Sequence, residues 1–189
     1  MRNILAVLAL AGASSAAAQI PTTPALEVRP VAGAFLPTGD QHDLFKNAAL
    51  FGMQVAYELK PTLHLASSFV WSPGQSRFLA GNNDVNVFQY DVGAELNAIY
   101  ELNPNWQIKP FAGLGVGGRT YDYQSHALGA NSCLAGYGSV GTELQYRATA
   151  FRMEARNYTF CYDDPMLNDS RTRNEVGLAL GVAYHIRRR

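Results

Sequence analysis

Residues Phe88 to Leu102 read FQYDVGAELNAIYEL, and in this stretch apolar and polar side chains alternate from end to end. A period of two is the side-chain period of a β-strand, so the strand has one apolar and one polar face. Strands of soluble proteins usually run about 5 to 6 residues, whereas crossing a bilayer at a tilt takes roughly 9 to 11. The stretch therefore predicts a membrane-spanning strand whose carboxylates, Asp91, Glu95 and Glu101, point into a barrel.

Seven further segments show the same alternation, and long and short connections take turns between them. The predicted strands are about 26–36, 48–59, 63–71, 88–102, 106–118, 134–147, 149–160 and 175–186. They predict an all-β fold, an eight-stranded antiparallel up-and-down transmembrane β-barrel that leaves no exposed sheet edge. Such barrels have short periplasmic turns and longer extracellular loops, so the amino terminus is expected in the periplasm and the four long loops outside the cell.

The amino terminus, MRNILAVLALAGASSAAAQ, has an early arginine, a short apolar run and a group of alanines. This pattern predicts a signal peptide over residues 1–18, then a periplasmic leader at 19–25 and the barrel domain at 26–189. The apolar run is far shorter than the roughly 20 residues of a spanning helix. A formal net charge of zero argues against nucleic acid as a partner.

Charged residues of both signs are predicted to face the interior of the barrel. The predicted lumen charge network comprises Arg29, Glu95, Glu143, Arg152, Glu154 and Arg156. The interior of eight strands is just wide enough for side chains to fill it, so these charges predict a paired and hydrated polar plug. The alternative is a gated ion path.

Cys133 and Cys161 are the two cysteines of the chain, and their spacing matches no metal site. In an oxidising compartment they are expected to form a disulfide between the outer ends of the sixth and seventh strands. Strict pleating aims the two thiols at opposite faces, so this bond requires a bulge or the end of regular pairing near Gly136. The alternative is two unbonded cysteines in loops. The sequence predicts no metal and no cofactor.

His64 and Ser67 are the nearest candidates for a catalytic pair, but their parity places them on opposite faces of one strand. Paired carboxylates such as Glu95 and Glu143 lack a neighbouring nucleophile, and a filled lumen admits no substrate. No catalytic residues are predicted, and the chain is expected not to be an enzyme.

The stretch RPVAGAFLPTGD at 29–40 and the closing strand VGLALGVAYHI at 176–186 complete the pattern. Together with the topology they resemble the small eight-stranded outer membrane proteins of Gram-negative bacteria, a group that includes the OmpA barrel domain and OmpX-like proteins. The closing strand is similar to the signal read by the barrel assembly machinery. The resemblance implies a monomer in the outer membrane, in contact with its lipid and lipopolysaccharide.

Function is expected to be structural or to lie in surface interaction through the four external loops, with a partner that the sequence does not name. The alternatives are a narrow ion channel and a lipid A-modifying enzyme. A soluble ligand-binding barrel resembling a lipocalin is a fourth possibility, and it requires an apolar interior and a polar exterior.

Overall fold

The computed structural model describes residues 25–39, 41–77, 84–124, 130–164 and 169–187. Its elements, in chain order, are β1 (Ala25–Thr38), α1 (Gln41–Leu44), β2 (Ala48–Lys60), β3 (Leu63–Gln75), β4 (Asp84–Asn97), β5 (Tyr100–Asn103), β6 (Trp106–Tyr123), β7 (Asn131–Tyr146), β8 (Thr149–Asp164) and β9 (Asp169–Arg187). The expected signal peptide, and the expected leader up to residue 24, lie outside the described residues. Within those residues no helix has the length and apolarity needed to cross a membrane.

The strands form one closed antiparallel sheet. β4 and β5 both pair with β6 and are two parts of one barrel strand, so the nine segments make eight barrel strands. β1 pairs with β9, with Leu26 opposite Ile186, and this pairing closes the barrel. The predicted fold is therefore confirmed. We call the end with turns 61–62, 104–105 and 147–148 the short-turn end, and the opposite end the long-loop end.

The fourth barrel strand is interrupted at Ala98 and Ile99, where an unbroken strand was expected. The amide of Ala98 donates to the carbonyl of Pro110 over 3.0 Å, so the backbone nitrogen of Pro110 also faces Ala98. Proline has no N–H and cannot return the second bond of the pair. Buried and exposed side chains alternate along β4, whereas all four residues of β5 are exposed, so Glu101 is not enclosed in the lumen as expected.

The outer surface is apolar along the strands. Leu96 and Leu180 expose 64% and 62% of their surface, and the aromatic rings of Trp106 and Tyr146 pack at 4.8 Å near the short-turn end. Charged side chains such as Glu95 and Arg152 are buried inside. This arrangement fits lipid outside and excludes a lipocalin-like barrel, whose polarity is the reverse.

The interior has two layers, where a polar plug alone was expected. The half toward the long loops is packed with apolar and aromatic side chains: Val31, Phe35, Phe45, Leu50, Val70, Val85, Val87, Tyr121, Tyr123, Ala135, Tyr137, Tyr158 and Phe160. The half toward the short turns holds most of the buried charges. The long-loop half is thus a small hydrophobic core inside the barrel.

The first long loop folds over the long-loop end. Within it, α1 places Gln41 and the following Phe45 in buried positions. The ring of Phe45 stacks on Tyr121 at 5.2 Å. Backbone bonds from Lys46 to Gln75, and from Arg77 to Leu44, attach the loop to the end of β3. The loop therefore caps the interior of the barrel.

The expected disulfide is not formed: among the described residues, no bond joins Cys133 and Cys161. Pairing of β7 with β8 is regular from Tyr146 to Ala135, and no bulge occurs near Gly136. Regular pleating keeps Cys133 on the same side as the buried Ala135, while Cys161 is exposed on the outside. Two thiols on opposite faces of a sheet cannot meet without backbone movement.

Candidate functional site

Ten buried charged or imidazole side chains meet in the short-turn half of the lumen, because alternate residues of β1, β3, β4, β7, β8 and β9 point inward there. This inner charge cluster consists of Glu27, Arg29, His64, Asp91, Glu95, Glu143, Arg152, Glu154, Arg156 and His185. All six residues of the predicted network lie in it. Glu27, Asp91, His64 and His185 extend it.

Glu95 on β4 lies at the centre of the cluster and binds two arginines from other strands. Nη1 of Arg29, on β1, donates to Oε2 of Glu95 over 2.9 Å. Nη2 of Arg152, on β8, donates to Oε1 over 2.7 Å. Because these three strands lie on different sides of the barrel, the two ion pairs cross the lumen.

A second group of contacts joins β8 to β4 at mid-height. Arg156 lies 2.6 Å from Oε1 of Glu154 and 3.0 Å from Oδ2 of Asp91. The hydroxyl of Tyr158 also donates to Oδ2 of Asp91 over 2.7 Å. The guanidinium of Arg156 stacks over the ring of Tyr137 at 4.4 Å. These contacts connect the charged layer to the aromatic layer above it.

The edge of the cluster nearest the short turns contains two carboxylates and an imidazole. Oε2 of Glu27 accepts from Nε of Arg29 over 2.9 Å. Nε2 of His185 lies 2.8 Å from Oε1 of Glu27 and 3.8 Å from Oε1 of Glu143. The sequence placed all three side chains inside the barrel, but it did not indicate that they meet.

A separate ion pair lies within the aromatic layer. Arg119 on β6 pairs with Glu175 on β9, and both are fully buried. The hydroxyl of Tyr121 donates to Oε1 of Glu175 over 2.6 Å, and Nε2 of Gln41 donates to the same oxygen over 3.1 Å. The predicted fifth strand stopped at residue 118 and so missed Arg119. Continuing its odd positions would have found both Arg119 and Tyr121.

Glycines inside the lumen make room for large neighbours. The ring of Tyr137 packs against Gly115 and its hydroxyl against Gly93, and a Cβ atom at either glycine would collide with Tyr137.

His64 is buried in the lumen while Ser67 is exposed on the outside, so the structure does not bring this pair together.

Comparisons with known proteins agree with the fold. The family model described as outer membrane protein beta-barrel domain matches residues 4–189. Among solved structures, Neisserial surface protein A aligns with a TM-score of 0.56 at 11% identity, covering 85% of this chain and 96% of that one.

Two further barrels align in the same way. The N-terminal β-barrel domain of Pseudomonas aeruginosa OprF gives a TM-score of 0.54 at 15% identity, covering 86% of this chain and 97% of that one. The outer membrane protein AlkL in lipid bilayers gives a TM-score of 0.52 at 12% identity, covering 94% of this chain and 96% of that one. At sequence identities this low, the similarity is one of fold alone. No curated protein matches the chain.

Proposed function

Since the chain belongs to the family of outer membrane β-barrel domains, we propose that it is a non-conducting outer membrane protein whose four long loops form a surface for interaction outside the cell. The barrel anchors and holds this surface. It catalyses no reaction. Its specificity resides in the loops and in the rim that supports them.

The observation that carries this proposal is the filled lumen. The bridges from Arg29 and Arg152 to Glu95 cross the short-turn half. Above them lies the aromatic layer, which Phe45 covers from the first loop. An ion on its way through would have to break buried charge pairs and displace an apolar core, and both steps are costly.

The rim at the long-loop end supports the interaction role. A groove of about 610 Å³ opens there between the ends of β2, β3 and β4. Its lining offers hydrogen-bonding groups and charges of both signs: Lys46, Asn47, Gln75, Asp84, Asn86 and Gln124. Mixed polar surfaces of this kind are common at the rims of protein interfaces.

Site-specific labelling tests whether the long loops face outward. In a background with both cysteines replaced by serine, intact cells carrying Lys46→Cys or Lys60→Cys are treated with a membrane-impermeant maleimide. Lys46 lies just before β2 at the long-loop end, and Lys60 ends β2 at the other. Label on the first variant alone is expected. Label on the second alone would invert the proposed orientation.

Conductance and lipid chemistry test the two alternatives. The purified protein is expected to give no single-channel steps in planar bilayers, whereas stable steps would favour a narrow ion channel.

Lipopolysaccharide incubated with the protein is expected to keep its lipid A mass. A mass loss that disappears in His64→Gln would favour a lipid A-modifying enzyme. Co-fractionation with outer membranes and a heat-dependent shift in gel mobility would establish that the sample is a folded barrel.

A further inference from the structure

We propose that Glu27, Glu143 and His185 form a binding site for a divalent transition-metal ion of the Zn²⁺ type, in the lumen at the short-turn end. Each residue offers one ligand atom, and these atoms all lie within 4.8 Å of one another. Imidazole nitrogen and carboxylate oxygen are both ligands of Zn²⁺. Three protein ligands leave a fourth position for water, which is the arrangement of an open zinc site.

The spacing of the ligand atoms suits such an ion. With bonds of about 2.0 to 2.2 Å, the ligand atoms of a tetrahedral zinc site lie roughly 3.3 to 3.6 Å apart. The distances from Nε2 of His185 to Oε1 of Glu27 and to Oε1 of Glu143 are 2.8 and 3.8 Å, on either side of this range. The two carboxylate oxygens lie no more than 4.8 Å apart, so binding a shared ion would draw them closer together.

An arginine lies on the far side of each carboxylate. Arg29 binds Oε2 of Glu27, and the nearest approach of Arg152 to Glu143 is to its Oε2, at 3.8 Å. In both residues it is Oε1 that faces His185. Partners that hold a ligand from its far side are a regular feature of metal sites, and they raise affinity by fixing the ligand's orientation.

The polar atoms at this point are buried. Glu27 is 1% exposed and His185 is 8% exposed. Nε2 of His185 lies 2.8 Å from Oε1 of Glu27, and Nδ1 of His185 has no hydrogen bond among the described residues. Buried polar atoms are nearly always satisfied, and a cation bound between Nε2 and the two Oε1 atoms would give each of them a further partner.

The net charge of the inner charge cluster also favours a bound cation. Its five carboxylates, Glu27, Asp91, Glu95, Glu143 and Glu154, face three guanidinium groups, Arg29, Arg152 and Arg156. Half-buried Lys109 and Glu58 near the same end offset each other. Buried charges require compensation, and one divalent cation supplies the two positive charges that the cluster lacks.

The site lies close to the short-turn end of the barrel. His185 is two residues from the end of β9, and Glu27 is two residues after the start of β1. The ligands come from β1, β7 and β9, so no spacing in the sequence marks the site. An ion bound there would also bridge the pairing of β1 with β9.

Cobalt substitution tests the proposal. The chain with Cys133→Ser and Cys161→Ser, which removes thiolate ligands, is refolded in detergent, stripped with EDTA and titrated with Co²⁺. Tetrahedral Co²⁺ absorbs strongly in the visible range, and one equivalent per chain is expected. His185→Gln and Glu27→Gln remove direct ligands, and the affinity is expected to fall by more than the roughly 10- to 100-fold that second-shell changes cost. His42→Gln, an exposed histidine in α1, is the matched control and is expected to bind normally.

Gel mobility before and after heating checks that each variant is folded. If His185→Gln does not fold, X-ray absorption of the Zn²⁺-loaded parent decides, because one imidazole with oxygen ligands is expected. Absence of one-equivalent binding in the folded parent would overturn the proposal, and so would binding unchanged by His185→Gln.

Discussion

At the scale of single residues, Glu95 determines how the lumen is filled. Its two oxygens accept bonds from arginines on two other strands, so one carboxylate fixes two long side chains. The guanidinium of Arg152 also lies 3.6 Å from the centroid of the Phe111 ring. A charge held by ion pairs and an aromatic face is well compensated, and its removal leaves uncompensated partners.

Arg152→Met is expected to destabilise the folded barrel by about 3 to 5 kcal/mol, because Glu95 and Glu154 lose a buried positive partner. The measurement is a urea titration of the protein in lipid vesicles. Lys60→Met, at an exposed strand end, is the control and is expected to change stability by less than about 0.5 kcal/mol. A neutral Arg152→Met in a closed barrel would mean that water, rather than arginine, solvates Glu95.

The cysteines give a second residue-scale prediction. Unreduced protein, denatured and treated with a maleimide, is expected to show two reactive thiols per chain, because Cys133 and Cys161 lie on opposite faces of the sheet. Mass spectrometry counts the labels, and a reduced sample is the control. Unlabelled chains would show that the ends of β7 and β8 rearrange to form the bond.

Parity along a strand predicts which way a side chain points, and it placed Arg29, Glu95 and Arg152 in the lumen. It does not predict which inward residues touch, since contacts across the lumen depend on the register of several pairings at once. Glu27 meets His185 because β1 pairs with β9, and no local signal in the sequence fixes that register. The expected disulfide was wrong for a related reason. It required a bulge near Gly136, but the pairing of β7 with β8 is regular there.

At the scale of elements, the break between β4 and β5 shows how one proline divides a strand. The alternation of residues 88–97 correctly predicted the two faces of β4, whereas the residues of β5 are all exposed. Continuity of the strand depended on Pro110 in the neighbouring strand. The helix α1 was not predicted either. Four residues have no helical stability of their own, so α1 exists because Gln41 and Phe45 are buried against the barrel.

Pro110→Ala is expected to supply the missing donor opposite Ala98 and to join β4 to β5. One added backbone bond stabilises by about 0.5 to 1.5 kcal/mol. Amide hydrogen exchange followed by NMR is the measurement, and the new amide at position 110 is expected to be protected. Pro104→Ala, in an exposed turn, is the control whose amide is expected to exchange rapidly. Rapid exchange at both positions would show that the break has another cause.

At the scale of the whole molecule, outward apolar side chains form a belt, and the cost of a charge in that belt depends on depth. Leu180→Arg, well inside β9, is expected to cost about 2 to 4 kcal/mol, whereas Leu102→Arg, beside the turn at 104–105, is expected to cost about 0 to 1. Both leucines are exposed on the outer surface, so the pair is matched. Refolding titrations in vesicles give the two values, and equal costs would contradict the predicted position of the membrane.

The pairing of β1 with β9 joins residues that lie far apart in the chain, as Leu26 opposite Ile186 shows. Contacts of such long range form slowly, because a large loop must close before they gain any stability. Until β9 is in place, β1 and β8 each present an unpaired edge that other chains can extend into an aggregate. A chain that lacked its last strand would therefore be an open sheet with aggregating edges, and the barrel folds as a single unit that is complete only when its last strand arrives.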